Sequence, residues 1–333
     1  MSSWIRGLNS TAERTVDETL SLNANTNPNP NLNPSLFERV DFVLDTSYDI
    51  SRPSTTFWQD AWRRLKKNKM AMVGLFILTL ISLIAIFGPY LVKHTYSDQN
   101  LTLANASPSA EYWLGTDNLG RDLLIRIIYG ARISLSIGVV ASLINLLIGV
   151  IYGGISGYCG GRVDSIMMRI VDVMYCIPML LWVIMLMVVL GPGLINIFIA
   201  IGLTDWLRMA RIVRGQILSL KEQEYVMAAQ LTGANTWRIL SLHLIPNSMG
   251  PIIITATLAI PGAIFTEAFL SFIGLGVSAP MASWGVLASE GVANLRSYPF
   301  QLFFPAAAIS ITMLCFNFLG DGLRDALDPR MRK

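Results

Sequence analysis

From Met70 to Val92 the chain reads MAMVGLFILTLISLIAIFGPYLV, without one charged residue. A helix needs about 20 such residues to cross the hydrocarbon core of a bilayer. Further apolar stretches follow at Ile133–Ile155, about Ile170–Leu190, Leu194 to about Met209, about Met249–Ile273 and about Leu302–Leu319. Only 14% of the residues are charged, against about 25% in an average soluble domain. That is too little charge to cover a water-facing surface, so lipid is the solvent for most of the chain. The expected fold is an all-α membrane protein with about six transmembrane helices.

Basic residues in the flanks orient such a protein, because they are retained on the cytoplasmic side. Arg63, Arg64, Lys66, Lys67 and Lys69 precede the first span, and Arg162 and Arg169 separate the second from the third. Arg208, Arg211, Arg214, Lys221 and Arg238 lie between the fourth and fifth, and Arg324, Arg330, Arg332 and Lys333 follow the sixth. The opposite flanks hold only Lys93, Arg121, Arg126, Arg132 and Arg296. Both termini are therefore expected in the cytoplasm.

Residues 1–35 contain no apolar h-region, and Asn23–Ser35 (NANTNPNPNLNPS) is too polar to offset its ordering entropy. Residues 1–56 are read as a largely disordered cytoplasmic tail. Residues 57–69 (FWQDAWRRLKKNK) read as a basic-aromatic helix in the inner interface, with a plain positive-inside signal as the alternative. Residues 70–333 form the membrane domain.

One segment between spans, about 215–248, is built as two short helices. Ala228 and Ala229 leave a flat surface, Gly233 suits a left-handed C-terminal cap, Asn235 or Thr236 can cap the next helix, and Pro246 is expected to end it. Such a loop is a rigid docking surface. Acids within the spans are few. Asp172 is expected to pair with Arg169, and Asp205 with Arg208. Arg208, Arg211 and Arg214 are expected to snorkel to the inner leaflet. Asp117–Asp122 (DNLGRD) reads as a charged turn on the outer surface. Glu267 has two readings: it lines a translocation path, or it is a structural hydrogen-bonding group.

Cys159, Cys176 and Cys315 are isolated and read as inert buried thiols. With two histidines, His94 and His243, and no ligand spacing, no metal site is expected. No GxxxxGK[ST] loop, HExxH or GxSxG motif occurs. Energy for uphill transport must then come from another subunit or an ion gradient.

The order Ala228-Ala229, Gly233, Pro246 resembles the EAA loop of ABC importer permeases. Residues 115–135 (GTDNLGRDLLIRIIYGARISL), 157–169 (GYCGGRVDSIMMR), Glu267–Gly276 (EAFLSFIGLG), Ser283–Gly285 and the tail GDGLRDALDPR resemble the peptide and nickel importers of that class. The closest likeness is to C-type permease subunits of oligopeptide importers, over about Trp58–Arg330. The resemblance implies a type I ABC importer permease fold in a bacterial inner membrane, and a coupling helix that docks on a cytoplasmic ATPase. It implies that Ala228, Ala229, Gly233 and Pro246 hold the docking geometry. The family's glutamate is here Met227, with Glu224 one turn earlier as a substitute, and its isoleucine before the proline is here His243. It further implies a homologous B-type permease, one or two P-loop ATPases, an external peptide-binding protein, no nucleic acid, and ATP–Mg on the partners rather than on this chain.

The same resemblance spans permeases for dipeptides, nickel chelates and glutathione. An ion-coupled carrier is the competing transporter class, but it would want acids deep in several spans and internal repeats. An intramembrane enzyme would want a nucleophile and base or a metal motif. A voltage-gated channel would want its arginines distributed through a span.

Overall fold

The computed structural model describes residues 56–92, 95–191 and 193–328. The expectations for the tail before residue 56 and for His94 lie outside the described residues. Among the described residues the elements are helices: α1 (Phe57–Lys67), α2 (Lys69–Leu91), α3 (Leu123–Cys159), α4 (Gly161–Cys176), α5 (Met179–Leu190), α6 (Leu194–Leu220), α7 (Glu224–Leu231), α8 (Thr236–Ile239), a π-turn (Leu240–Leu244), α9 (Ile245–Asn247), α10 (Met249–Phe272), α11 (Trp284–Ala293) and α12 (Phe300–Leu327). Helices α2, α3, α10 and α12 are long and apolar enough to cross a membrane. The pair α4 and α5, bent by 84°, makes a fifth apolar unit.

The start of α1 is fixed by a capping box: Thr56 Oγ1 accepts from the Gln59 backbone N–H at 3.4 Å, and Gln59 Oε1 accepts from that of Thr56 at 3.2 Å. The helix does not simply float in the interface. Leu65 joins Ala71 and Ala326 in a small core, which seats α1 on the end of α12. Trp58 and Trp62 point away from it, exposed, with the Lys66 ammonium 5.3 Å above the Trp62 ring. The Arg63 and Arg64 guanidiniums beside Asp60 hold its carboxyl below the usual range. Asn68 then caps α2 by accepting from the Ala71 N–H at 3.2 Å.

Prolines explain the irregularities of the spans. Proline has no N–H, so it orphans the carbonyl four residues earlier, and in lipid that group needs another donor. Pro89 in α2 frees the Ala85 carbonyl, which Arg132 Nε takes at 3.1 Å. The third expected span, about Ile170–Leu190, is not continuous: it breaks at Ile177–Pro178. The Met174 carbonyl freed there accepts from Trp182 Nε1 at 3.1 Å. Pro246, expected to end its helix, does not end it. The π-turn ahead of it shifts the hydrogen-bond register, so α8, the π-turn and α9 lead with little interruption into α10.

The second span begins earlier than the hydropathy implied, at Leu123, where the Asp122 carboxylate accepts from the Leu124 N–H at 2.8 Å. Helix α3 packs along α6 through a stripe of small residues, Gly149, Gly153 and Gly157, against Met209, Ala210, Arg214 and Ile217. Spacing of four places the stripe on one face of α3 and lets the backbones meet closely. The core lies beside this contact, with Ile137, Ala141, Met187, Ile197, Ile201 and Leu270 fully buried.

Candidate coupling surface and intramembrane polar groups

The loop between α6 and α10 is held from below by apolar side chains. Val226 of α7 is buried with Ile217, Ile239, Leu240 and Leu244. This anchor leaves the rest of α7 outward. Its C-terminus turns at Gly233, whose φ of +82° is left-handed, and the Ala234 N–H returns to the Ala229 carbonyl at 3.0 Å. Asn235 then caps α8, accepting from the Arg238 N–H at 2.8 Å. Together these turns shape an open cleft of about 620 Å³, walled by Tyr225, Ala228, Ala229, Gly233, Arg238 and His243. Three of the residues singled out from sequence, Ala228, Ala229 and Gly233, therefore meet in one cleft. Glu224 opens α7 and is exposed, while Pro246 lies exposed on α9, and neither lines the cleft. Elsewhere on the same loop Met227, Leu231, Trp237 and Leu242 are exposed.

Glu267 is fully buried at the meeting of α3, α10 and α11. Its Oε1 accepts from Ser271 Oγ at 2.7 Å and its Oε2 from Ser134 Oγ at 3.3 Å. Ser134 Oγ in turn accepts from the Trp284 N–H at 3.2 Å, and Ser283 Oγ, which caps α11, lies 3.4 Å from Ser271 Oγ. Sequence reading singled out the acid but missed its serines: Ser271 lies one turn further along the same helix, and Ser134 and Ser283 come from α3 and the start of α11.

Several charge assignments differ from expectation. Asp172 pairs with Arg211 at 2.7 Å rather than with Arg169, and the Arg211 guanidinium lies 4.0 Å from the Tyr175 ring centroid. Arg214 clasps Asp164 through Nε and Nη2 at 2.5 and 2.6 Å. Arg211 and Arg214 therefore both bind acids of α4. Asp205 makes no ion pair with Arg208; its Oδ2 accepts from Asn145 Nδ2 of α3 at 3.2 Å. The expected outer-surface turn is largely buried: Asp117 is bound by Arg121 at 2.6 Å and by Arg126, and Arg126 also meets Glu290 of α11 at 2.6 Å. Cys159 and Cys176 are exposed rather than buried, and only Cys315 is enclosed. The pair Asp117–Arg121, four residues apart, is as local spacing suggests; the other partners lie on different elements, which local spacing does not report.

Residues 145–333 match the family described as the binding-protein-dependent transport system inner membrane component. Residues 56–108 match the N-terminal TM domain of oligopeptide transport permease C. The chain is 58% identical to the dipeptide transport system permease protein DppC of Bacillus subtilis (strain 168), over 85% of this chain and 89% of that one. It is 56% identical to the oligopeptide transport system permease protein OppC of the same organism, over 90% and 98% of the two chains. Identity is 46% to the oligopeptide transport system permease protein OppC of Escherichia coli (strain K12), over 83% and 92%. A solved chain of the MetNI methionine ABC transporter aligns with a TM-score of 0.48 and 16% identity, over 62% of this chain and 96% of that one. The chain belongs to the family of binding-protein-dependent transport system inner membrane components, within its permease C group: membrane subunits of ABC importers, which leave ATP hydrolysis to separate subunits.

Proposed function

We propose that this chain is one half of the membrane channel of an ATP-driven importer of peptides, with oligopeptides as its main cargo. The observation that carries the reading is the near full-length identity to oligopeptide and dipeptide permeases, together with the anchored cleft between α6 and α10. The other half is a homologous permease. One or two P-loop ATPases carrying ATP–Mg dock on the cleft, and an external binding protein delivers the peptide. Six crossings put both termini in the cytoplasm. Helix α6 is the fourth crossing in chain order, and its Arg211 and Arg214 are neutralised by acids of α4. Opening and closing of the ATPase pair is transmitted through α7 to α6 and α10, whose side chains share the core beneath the loop. The test is uptake of a labelled tripeptide by cells expressing the complete transporter. Uptake that depends on this chain and on ATP supports the reading, and uptake unaffected by its deletion rejects it.

Two outcomes are expected at the named residues. Glu224 heads α7 at the exposed loop surface and is assigned to a basic group on the ATPase. An exposed pair of this kind contributes up to about 1 kcal/mol, so Glu224→Ala should weaken recovery of the ATPase roughly two- to fivefold. Full recovery with unchanged uptake would remove Glu224 from the contact. Glu267, enclosed by serines, is assigned to packing rather than to the path. Glu267→Gln keeps one acceptor oxygen and offers an amide N–H that a rotated serine hydroxyl can accept, and should preserve uptake, whereas Glu267→Leu strands buried hydroxyls at about 1–3 kcal/mol each and should lower the thermal midpoint. Loss of uptake in a normally stable Glu267→Gln protein would return this residue to the path.

A further inference from the structure

Where α4 breaks into α5, the bend leaves a cavity of about 280 Å³ against α6, lined among others by Tyr175, Met179, Trp182, Thr204, Asp205 and Arg208. Asp205 lies about 16 Å along α6 from Leu194 at roughly 1.5 Å per residue, toward the cytoplasmic end of the apolar stretch that runs from Leu194 to Met209. Charges at that depth are costly and persist where they face a cavity or a partner. Here the two charges stand on neighbouring turns of one helix and share a cavity, yet no ion pair joins them. Asp205 is held by one hydrogen bond, from Asn145 Nδ2. Asn145 itself is 2% exposed, and its Oδ1 has no partner among the described residues. Neighbouring arginines behave differently, since Arg211 and Arg214 are both bound to acids. An acid and a base thus share one open space, within reach of each other's charge but without a direct ion pair.

We propose that this cavity is a way-station for a zwitterionic short peptide, with the α-ammonium on Asp205 and the α-carboxylate on Arg208. The inference rests on the peptide-import reading and adds the groups that hold its shortest cargo, a dipeptide, within the membrane. Side chains three residues apart on a helix have Cβ atoms roughly 5–6 Å apart, and two extended residues span about 7 Å, so one dipeptide unit can bridge the pair. The aromatic and methionine walls ask nothing specific of its side chains, which suits cargo of varied sequence. Asn145 orients the carboxylate and is a positioning residue.

The test uses the complete transporter in phosphatidylglycerol vesicles with and without phosphatidylethanolamine, itself a zwitterion, and with ATP and the binding protein present. Uptake of labelled peptide and ATP hydrolysis are measured together. Asp205→Asn and Arg208→Gln should each lower peptide imported per ATP hydrolysed at least tenfold, with ATP hydrolysis and subunit recovery unchanged. Asp205→Glu should recover much of the loss. An unchanged ratio in both variants overturns the proposal. So does a joint fall of hydrolysis and subunit recovery that Asp205→Glu does not reverse, which would make the pair structural. An effect seen only with phosphatidylethanolamine present would give the cavity to a lipid headgroup. Uptake by the unaltered complex tests the import reading separately, so either can fail alone.

Discussion

Gly233→Val is expected to lower ATPase docking and peptide uptake at least tenfold while leaving the membrane core intact. The residue sits at φ +82°, and a Cβ added there would meet nothing within 4 Å. The cost is therefore in the backbone alone. A left-handed conformation costs an ordinary L-residue about 1–2 kcal/mol, and a β-branched one more. The turn at Gly233 returns the Ala234 N–H to Ala229 and sets the angle between α7 and α8. Relaxing it moves Ala228 and Tyr225, and with them the cleft. About 1.4 kcal/mol is tenfold in an equilibrium, so strain alone is enough to disrupt docking. Gly233→Asn tolerates the same conformation and should be nearly silent. The check is co-purified ATPase per permease, beside the thermal midpoint of the chain. An unchanged ratio for Gly233→Val would mean the turn does not shape the docking surface.

Gly153→Val acts on the core instead. A methyl group at Gly153 would run into the Ala210 carbonyl, a backbone atom that cannot rotate away. At Gly157 the nearest such atom, the Arg214 carbonyl, is 2.9 Å from the added carbon. Relief requires α3 and α6 to separate along the stripe that joins them, which also pulls Asn145 from Asp205. Overpacking a core costs about 1–3 kcal/mol, and here it falls on the contact on which α6 depends. The expected result is a sharp fall in folded chain recovered from membranes and loss of uptake. Gly215 of the same helix α6 has open space around it. Gly215→Ala should be neutral or stabilising by about 1 kcal/mol, from helix propensity alone. Equal behaviour of the two variants would show that the close approach does not matter.

The spans were legible in the sequence because charge depletion over a helix length is a local property. Met70–Val92 and Met249–Ile273 agree with α2 and α10 to within a residue or so. The break at Pro178 was open to reading, since the proline stands in the middle of the third stretch, but the Trp182 donor that makes it tolerable lies in the next helix. The four-residue spacing of Asn145, Gly149, Gly153 and Gly157 was likewise visible, and only the partner helix was not. The cleft residues Ala228, Ala229 and Gly233 could be found because one turn brings them together. Glu267 was found as an anomaly, a lone acid in an apolar run, but its serines at 134 and 283 are distant in the chain. The pairs Asp164–Arg214 and Arg126–Glu290 were missed for the same reason: helix packing, not spacing, joins them.

The central claim, that this chain works as one subunit of an ATP-driven assembly, is tested most directly by its partners. The chain would be tagged at its C-terminus, solubilised from its native membrane in mild detergent, and recovered with whatever holds to it stoichiometrically. A second, homologous permease and one or two P-loop ATPases are the expected companions. Recovery of the chain alone, or only with copies of itself, would contradict the claim.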